Sequence, residues 1–486
     1  MSAKRWALPI FLSILALIGF TYYYEWEQTQ VDDEAPVVVA KEQSKEFGLS
    51  GIKTVSGNPI EAHQLADSQS CASCHQVSFE EWKVSAHARS AVNDPIYENH
   101  EETFAVPDLG QDNITFCASC HTPEAVATGS IGATKWTSAK YEQAGTSCII
   151  CHSIGGVYNN ATQGVPADGS YILTPERVKP YPFDDETVSA LRDYLIRAAP
   201  KRHAADLSSK LYREAQYCST CHTQAAPNGK IEQDTYREWL KSPYGQQGSK
   251  DFATCITCHM AVVPGEPKQT VSGQTTNGGK VKEKVLSHYF VGANQALPHF
   301  YGDKKLFDLT EKMLRSAAEI EIVDVKQKSD RMDFKVKVTN KGAGHNLPTG
   351  ATDLRQLWLD VEVLDEQGKV LFDSGKLDEK LEIKPNSVIF NSRFYDKNGK
   401  LIDHHQVWRI ERREDNLIPP KESRYGEYSF ALPKDVKKVT IKSKLRYRIT
   451  PQFFANVTLR NFGAPGTDRT LPITDLDVKE KVITLD

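Results

Sequence analysis

Hydrophobic and polar positions follow one rule over the last third of the chain and another before it, with the change near residue 318. From there on, EIEIVDV (319–325), DFKVKVTN (333–340), LRQLWLDVEVLDEQGKVLF (354–372), ESRYGEYSFALP (422–433) and KKVTIKSKLRYRI (437–449) alternate at every second residue. β-Branched and aromatic side chains are enriched in them, and turns such as Glu366-Gln367-Gly368 interrupt them. That period predicts strands, about seven of them, and an antiparallel, immunoglobulin-like β-sandwich over 318–486. Before 318 the signals are short: amphipathic stretches near 186–197 and 203–217, and a helix-like one at 302–317. The rest reads as loop and single helical turns. So much irregular chain cannot build an ordinary core, so something other than secondary structure has to fill the interior.

The N-terminus breaks the pattern again. Lys4 and Arg5 precede a nineteen-residue apolar run from Trp6 to Tyr24, long enough as a helix to cross about 30 Å of hydrocarbon. No small-residue cleavage site closes it. Aromatic residues and then Asp32, Asp33 and Glu34 follow. The expectation is an uncleaved anchor over 1–30 in the cytoplasmic membrane, with the body on the extracytoplasmic, periplasmic side. A cleaved signal peptide and secretion is the alternative. Residues 31–65, polar and weakly patterned, read as a tether.

Cysteine supplies the missing filler. All ten cysteines fall in pairs two residues apart: Cys71/Cys74, Cys117/Cys120, Cys148/Cys151, Cys218/Cys221 and Cys255/Cys258. A histidine follows each at once: His75, His121, His152, His222 and His259. Zinc sites of four cysteines would strand one pair, and neither zinc nor redox disulfides explain the histidines. Two thiols linked to one porphyrin, with the next histidine carried beneath it to the iron, explain both. The sequence therefore predicts five covalently bound haem c groups and a mainly irregular and α-helical pentahaem cytochrome c domain over 66–317, with haem as its core.

Five irons call for further ligands, and nine histidines lie outside the motifs. His87 stands twelve residues after His75, in a predicted helix behind Trp82, His203 opens an amphipathic segment, and His288 sits in SHYFVGAN. His345 lies in NKGAGHNLPTG, whose glycines allow close approach of backbone to a flat cofactor. His299 in LPHFYG and the pair His404/His405 compete for the fifth place, with His405 carried forward. His63 and His100 are weaker, being in polar surroundings. An internal repeat is also visible. Trp136, Ser138, Tyr141 and Gly145 between the second and third motifs parallel Trp239, Ser242, Tyr244 and Gly248 between the fourth and fifth. Aligning EWKVSAH (81–87) with EWLKSPY (238–244) sets His87 opposite Tyr244.

On these residues the chain resembles the multi-haem cytochromes related to cytochrome c-554 of nitrifying bacteria, over roughly 66–310. The match rests on the Cys-x-x-Cys-His, Glu-Trp-x-x-Ser-x-His arrangement at 71–87 and the Cys-x-x-Cys-His-Met ending at 255–260. The strand region resembles a C-terminal domain of extracytoplasmic multi-haem proteins, through Gly-His-Asn-x-Pro-Thr-Gly at 344–350 and Leu-Arg-Tyr-Arg at 445–448. The resemblance implies close-packed haems, electron transfer outside the cytoplasm, and His87, His203, His288 and His345 as distal ligands. The c-554 proteins have four haems and are soluble. A fifth site, an anchor and an added sandwich are departures that leave partner and pathway open.

The formal charge of −4, with no basic stripe, excludes a nucleic-acid partner. The leading expectation is an electron carrier without catalytic residues of its own, serving redox protein partners and linked to a membrane respiratory chain through the N-terminal helix. A homo-oligomer is compatible with it. The alternatives are an oxidoreductase acting on a small nitrogen or sulfur compound at one open haem, and a subunit of an extracellular cytochrome filament.

Overall fold

The computed structural model describes residues 40–485, apart from 132–144, 175–192 and positions 62, 63, 66, 92, 195, 198, 199, 267, 268, 270 and 329. The proposed anchor, His63, Trp136, Tyr141 and most of the segment near 186–197 lie outside the described residues.

The cysteine-bearing part is built from short helices, each with a local reason to begin. α1 (Ser68–Ala72) is capped by Asp67, which accepts from the Gln69 amide. α2 (Thr115–His121) holds the second motif. α3 (Cys148–His152) starts at Ser147, whose hydroxyl accepts from the Ile150 amide. α4 (Pro200–Leu207) takes Pro200 at its first position and carries His203. α5 (Ala215–His222) holds the fourth motif, and α6 (Thr235–Lys241) carries Glu238 and Trp239. α7 (Cys255–His259) is closed by a reciprocal cap between Thr254 and Thr257. Helical geometry puts cysteines three apart on one face, so in α2, α3, α5 and α7 one turn presents both thiols in the same direction.

The first motif departs from that pattern. α1 ends at Ala72, so Cys71 is helical while Cys74 falls in the turn beyond it. The turn still keeps the pair together, because the Cys74 amide donates to the Cys71 carbonyl at 3.3 Å. The physical reason for the early end lies downstream: the Cys74 carbonyl is taken by the Asn277 amide at 2.7 Å, a bond to a distant segment in place of a further helical turn.

The expectation of a polar tether over 31–65 does not survive for its described residues, which fall between 40 and 65. Phe47, Ile52, Ile60 and Leu65 are buried with Ile114, Val126, Ile150, Tyr171 and Leu173 in one cluster. Lys53–Thr54 pairs in parallel with Tyr171–Leu173, and the Ile60 amide donates to Ala127. The apolar residues here are spaced too widely to show a period, so nothing local announces their burial.

α8 (Lys304–Ala317) follows the expected helix closely. Leu306, Thr310 and Leu314 form its buried face, and it runs directly into the strand region. Ten strands follow: β1 (Ala318–Gln327), β2 (Arg331–Asn340), β3 (Gln356–Asp365), β4 (Val370–Ser374), β5 (Ile389–Phe390), β6 (Ser392–Tyr395), β7 (Arg412–Asp415), β8 (Ser423–Ala431), β9 (Lys438–Arg448) and β10 (Thr474–Thr484). β8-β2-β1 form one antiparallel sheet and β4-β3-β9-β10 another, with β5 also on β3 and β6 paired to β7. Alternation decides the register. Phe334, Val336 and Val338 of β2 face Leu359, Val361 and Val363 of β3 and Ile441 and Leu445 of β9 in one buried core. The antiparallel expectation holds. β10 is absent from the alternating segments above because its apolar face is incomplete: Leu476 is buried, but Glu480 interrupts that face and Val478 and Val482 are exposed.

Among the described residues, no helix is long and apolar enough to cross a membrane. That corrects the expectation of a membrane-anchored protein.

Candidate haem sites

Four of the five motif histidines are held alike. The Nδ1 atom of His75 meets the Thr275 carbonyl at 2.7 Å, that of His121 the Ser90 carbonyl at 2.9 Å, that of His152 the Leu207 carbonyl at 2.7 Å and that of His259 the Val291 carbonyl at 2.8 Å. An imidazole bound this way donates from Nδ1 and keeps Nε2 for a metal, the arrangement that fixes tautomer and ring orientation in metal sites. His345 follows the same rule, with Nδ1 at 2.9 Å from the Asn346 carbonyl.

Ring separations then sort the remaining histidines. Metal–imidazole bonds of about 2 Å on both sides of one ion set the two ring centres roughly 6 Å apart. His75 and His203 stand 6.3 Å apart with planes 14° from parallel, and His259 and His345 are 6.2 Å apart at 11°. His222 and His87 are 6.1 Å apart at 60°. Three motif histidines thus face three of the histidines singled out in the sequence, at the spacing one iron requires. The residues present fit haem c.

Desolvation lowers these imidazoles: His87 to about 3, and His121, His222, His288 and His345 to about 4. They are neutral at neutral pH, the form that binds metal. None of the ten cysteines is in a disulfide, and all are partly exposed. Thiols of different motifs lie within hydrogen-bonding reach: Cys71 of Cys148, Cys120 of Cys221, and Cys218 of Cys255. The attachment points therefore converge, with the fourth motif touching both the second and the fifth. Cys74 is placed differently from its motif partner Cys71. Its sulfur receives the Ser73 hydroxyl at 3.7 Å and the Arg197 guanidinium at 3.9 Å, both exposed contacts.

The other two motif histidines have different ring neighbours. Tyr97 stacks on His121 with centres 3.9 Å apart and planes 3° from parallel, and its hydroxyl donates to Glu101. Tyr212 meets His152 edge-on at 5.2 Å. His288 lies close enough to His152 and His75 for both to disfavour its charge.

His405 reaches the second motif from the far end of the chain. Ile402, Val407 and Ile410 of its loop are buried with Phe116, and Cys117 and Trp408 pack against them. Asp108 fastens the loop by accepting from Gln406, Trp408 and Arg409. The ring of His405 is tied by Asp353, whose carboxylate oxygens stand 2.9 and 3.0 Å from Nδ1. His100 uses Nε2 on the His404 carbonyl at 3.0 Å, and His299 packs against Phe300 and Phe307.

The internal repeat has a structural meaning that the sequence did not disclose. The Trp82 indole donates to the Thr146 carbonyl at 2.9 Å, and the Trp239 indole to the Ala253 carbonyl at 2.8 Å. Thr146 and Ala253 each stand two residues before the next motif. Their amides donate to His87 and Tyr244 respectively, the aligned positions. The neighbouring glutamates match as well. Glu81 accepts from the His288 amide at 2.6 Å, while Glu238 accepts from the Asn346 amide and the Thr349 hydroxyl. Each Glu-Trp unit thus braces the approach to a later motif with one side chain, the third motif for Trp82 and the fifth for Trp239, and a histidine-bearing segment with the other. Tyr244 takes another role: a Cβ on Gly344 would lie 3.2 Å from its side chain. The His345 loop needs glycine there to approach this tyrosine.

Residues 70–153 match the family model for cytochrome c554 and c-prime. The chain is a multi-haem c-type cytochrome. Its fold is similar to that of a penta-heme cytochrome c552 from Thermochromatium tepidum, with a TM-score of 0.58 and 21% identity over 87% of this chain and 100% of that one. A β-glucosidase from Kluyveromyces marxianus overlaps 34% of this chain and 14% of that one, at a TM-score of 0.12 and 12% identity, and carries no argument. No curated protein matches the cytochrome in sequence.

Proposed function

We propose that this cytochrome carries five covalently attached haems c and passes electrons between redox protein partners. Cys71/Cys74, Cys117/Cys120, Cys148/Cys151, Cys218/Cys221 and Cys255/Cys258 are the attachment sites, and the axial pairs are His75/His203, His121/His405, His152/His288, His222/His87 and His259/His345. Haem supplies one-electron redox chemistry when bound. The observation carrying the reading is the separation of 6.1–6.3 Å in three histidine pairs. Two imidazoles fixed on either side would hold an iron in one geometry through a redox change, as at His259/His345, where backbone carbonyls tie both rings. That favours fast transfer over substrate binding. The neighbouring thiols of different motifs support close spacing of the groups. Residues 318–486 serve as a β-sandwich of immunoglobulin-like kind that contributes His345 and His405.

Electron paramagnetic resonance of the oxidised holoprotein tests this. Low-spin signals from every haem are expected. Nearly parallel imidazole planes at His75/His203 and His259/His345 give rhombic spectra, and the turned planes at His222/His87 a more anisotropic one. His345→Ala should convert one haem to high spin. A stoichiometric high-spin haem in the unaltered protein that shifts with nitrite or hydroxylamine would overturn the carrier reading in favour of an enzyme.

A further inference from the structure

His405 differs from the other tied ligand candidates in what holds it. His75, His121, His152, His259 and His345 donate from Nδ1 to neutral backbone carbonyls. His405 donates to a carboxylate, that of Asp353, which is only 5% exposed. The arrangement is enforced on both sides. Asp353 sits in the turn before β3, where the amides of Leu354 and Arg355 both donate to the Ala351 carbonyl. The His405 backbone is left-handed, at φ +54°, a conformation unfavourable for a histidine that the docked loop sustains. A second carboxylate, Glu232, is 1% exposed, and its Oε1 has no hydrogen-bond partner. Ligand atoms of Glu232, Asp353 and His405 lie within 4.8 Å of one another. The ring is therefore bonded to one buried carboxylate and lies near a second, Glu232, which burial biases toward its protonated form and whose charge Arg355 and Arg413 partly offset. In this desolvated setting charge acts more strongly than in water.

We propose that Asp353 is a positioning residue that makes His405 the most electron-rich axial ligand, and so sets the haem attached at Cys117 and Cys120 to the lowest potential of the array. This rests on the assignment of His405 to that haem. A carboxylate draws the Nδ1 proton more strongly than a carbonyl does and raises the basicity of Nε2. A more basic axial nitrogen stabilises ferric over ferrous iron, so the electron is less readily accepted at that site. The loops that carry Asp353 and His405 both belong to the strand region, which thereby tunes a group attached to the other part of the chain.

The test is a potentiometric titration of purified holoprotein followed by electron paramagnetic resonance, on four variants. Asp353→Asn keeps an acceptor for Nδ1 and removes the charge. It should leave that haem low-spin, change its g-values and move its midpoint positive, above at least one other haem. Asp353→Glu should restore the low midpoint. Glu232→Gln, which removes a neighbouring charge that makes no bond to the ring, should shift it less. His405→Ala should turn the same haem high-spin. If His405→Ala does so while Asp353→Asn leaves the midpoint in place, or Glu232→Gln shifts it as far, the tuning role is overturned and the ligand assignment stands. If His405→Ala leaves every haem low-spin, the assignment itself fails.

Discussion

The two parts of this cytochrome encode their interiors in opposite ways. From Ala318 onward the core is written into the chain: β2 alternates between buried and exposed along its whole length, and its inner residues meet those of β3 and β9. Before Ala318 no motif-bearing helix exceeds eight residues, and beyond one cluster around Ile52, Ile150 and Leu173 the order comes from caps, indole braces and histidines held by carbonyls. One part closes its core with its own side chains. The other is a set of correctly aimed brackets, and what they bind completes it. The lesson concerns composition: a motif that attaches a large apolar group releases its segment from the need for periodic hydrophobicity.

Removing all attachment should break the comparison most visibly. A full-length chain with the ten motif cysteines changed to serine should keep a cooperative sheet transition in far-ultraviolet circular dichroism, with amide exchange protection confined to residues beyond 318. Protection in both parts would show that the short helices stand without haem. Next in size, Phe334→Ala empties the centre of the strand core and should cost about 3–5 kcal/mol in urea unfolding of the sheets, leaving the haem spectrum unchanged. A smaller effect is expected where the parts join. Burial pushes Glu238 up to about 7 from its ordinary 4.5. Its folded form thus favours the proton, so its contribution to stability is full below about pH 4.5 and is lost as pH rises through about 7. Glu238→Gln should flatten that slope, by on the order of 3 kcal/mol at most, read as unfolding midpoints across pH 4–8. Smallest are Trp82→Phe and Trp239→Phe. Each removes one hydrogen bond, and each should cost about 0.5–1.5 kcal/mol by denaturant titration. Equal costs sharpen the repeat, and unequal ones dissolve it.

How much was legible followed from the same division. The five Cys-x-x-Cys-His motifs and the His345 loop could be read because their chemistry is tied to fixed local spacing. Spacing alone did not reveal that Cys74 sits off the helix that holds Cys71, since a distant amide from Asn277 decides it. His203 and His87 could be proposed because the irons create a demand, but only the folded chain sets them opposite His75 and His222. The apolar residues at 47, 52, 60 and 65 read as tether because they are widely and irregularly spaced, without a period, although they join one buried cluster. Asp353 carries no local signal at all. Its partner is fifty-two residues away, and only the turn before β3 aims it. Glu81 and Glu238 were visible as part of a repeat, yet their service to distant amides was not, since a repeated residue does not announce what it touches.

The loop around His345 has a consequence for the life history of the molecule. Its Asn346 amide and Thr349 hydroxyl donate to Glu238, its glycine lies against Tyr244 and its imidazole stands opposite His259, all in segments made earlier. Synthesis runs from the N-terminus, so these earlier pieces wait for the loop as a lock waits for its bolt. A chain broken off before residue 341 would keep every attachment motif and still lack the bolt. On the proposed pairing of His345 with His259, an unfinished copy would differ from a finished one in its iron as well as in its length.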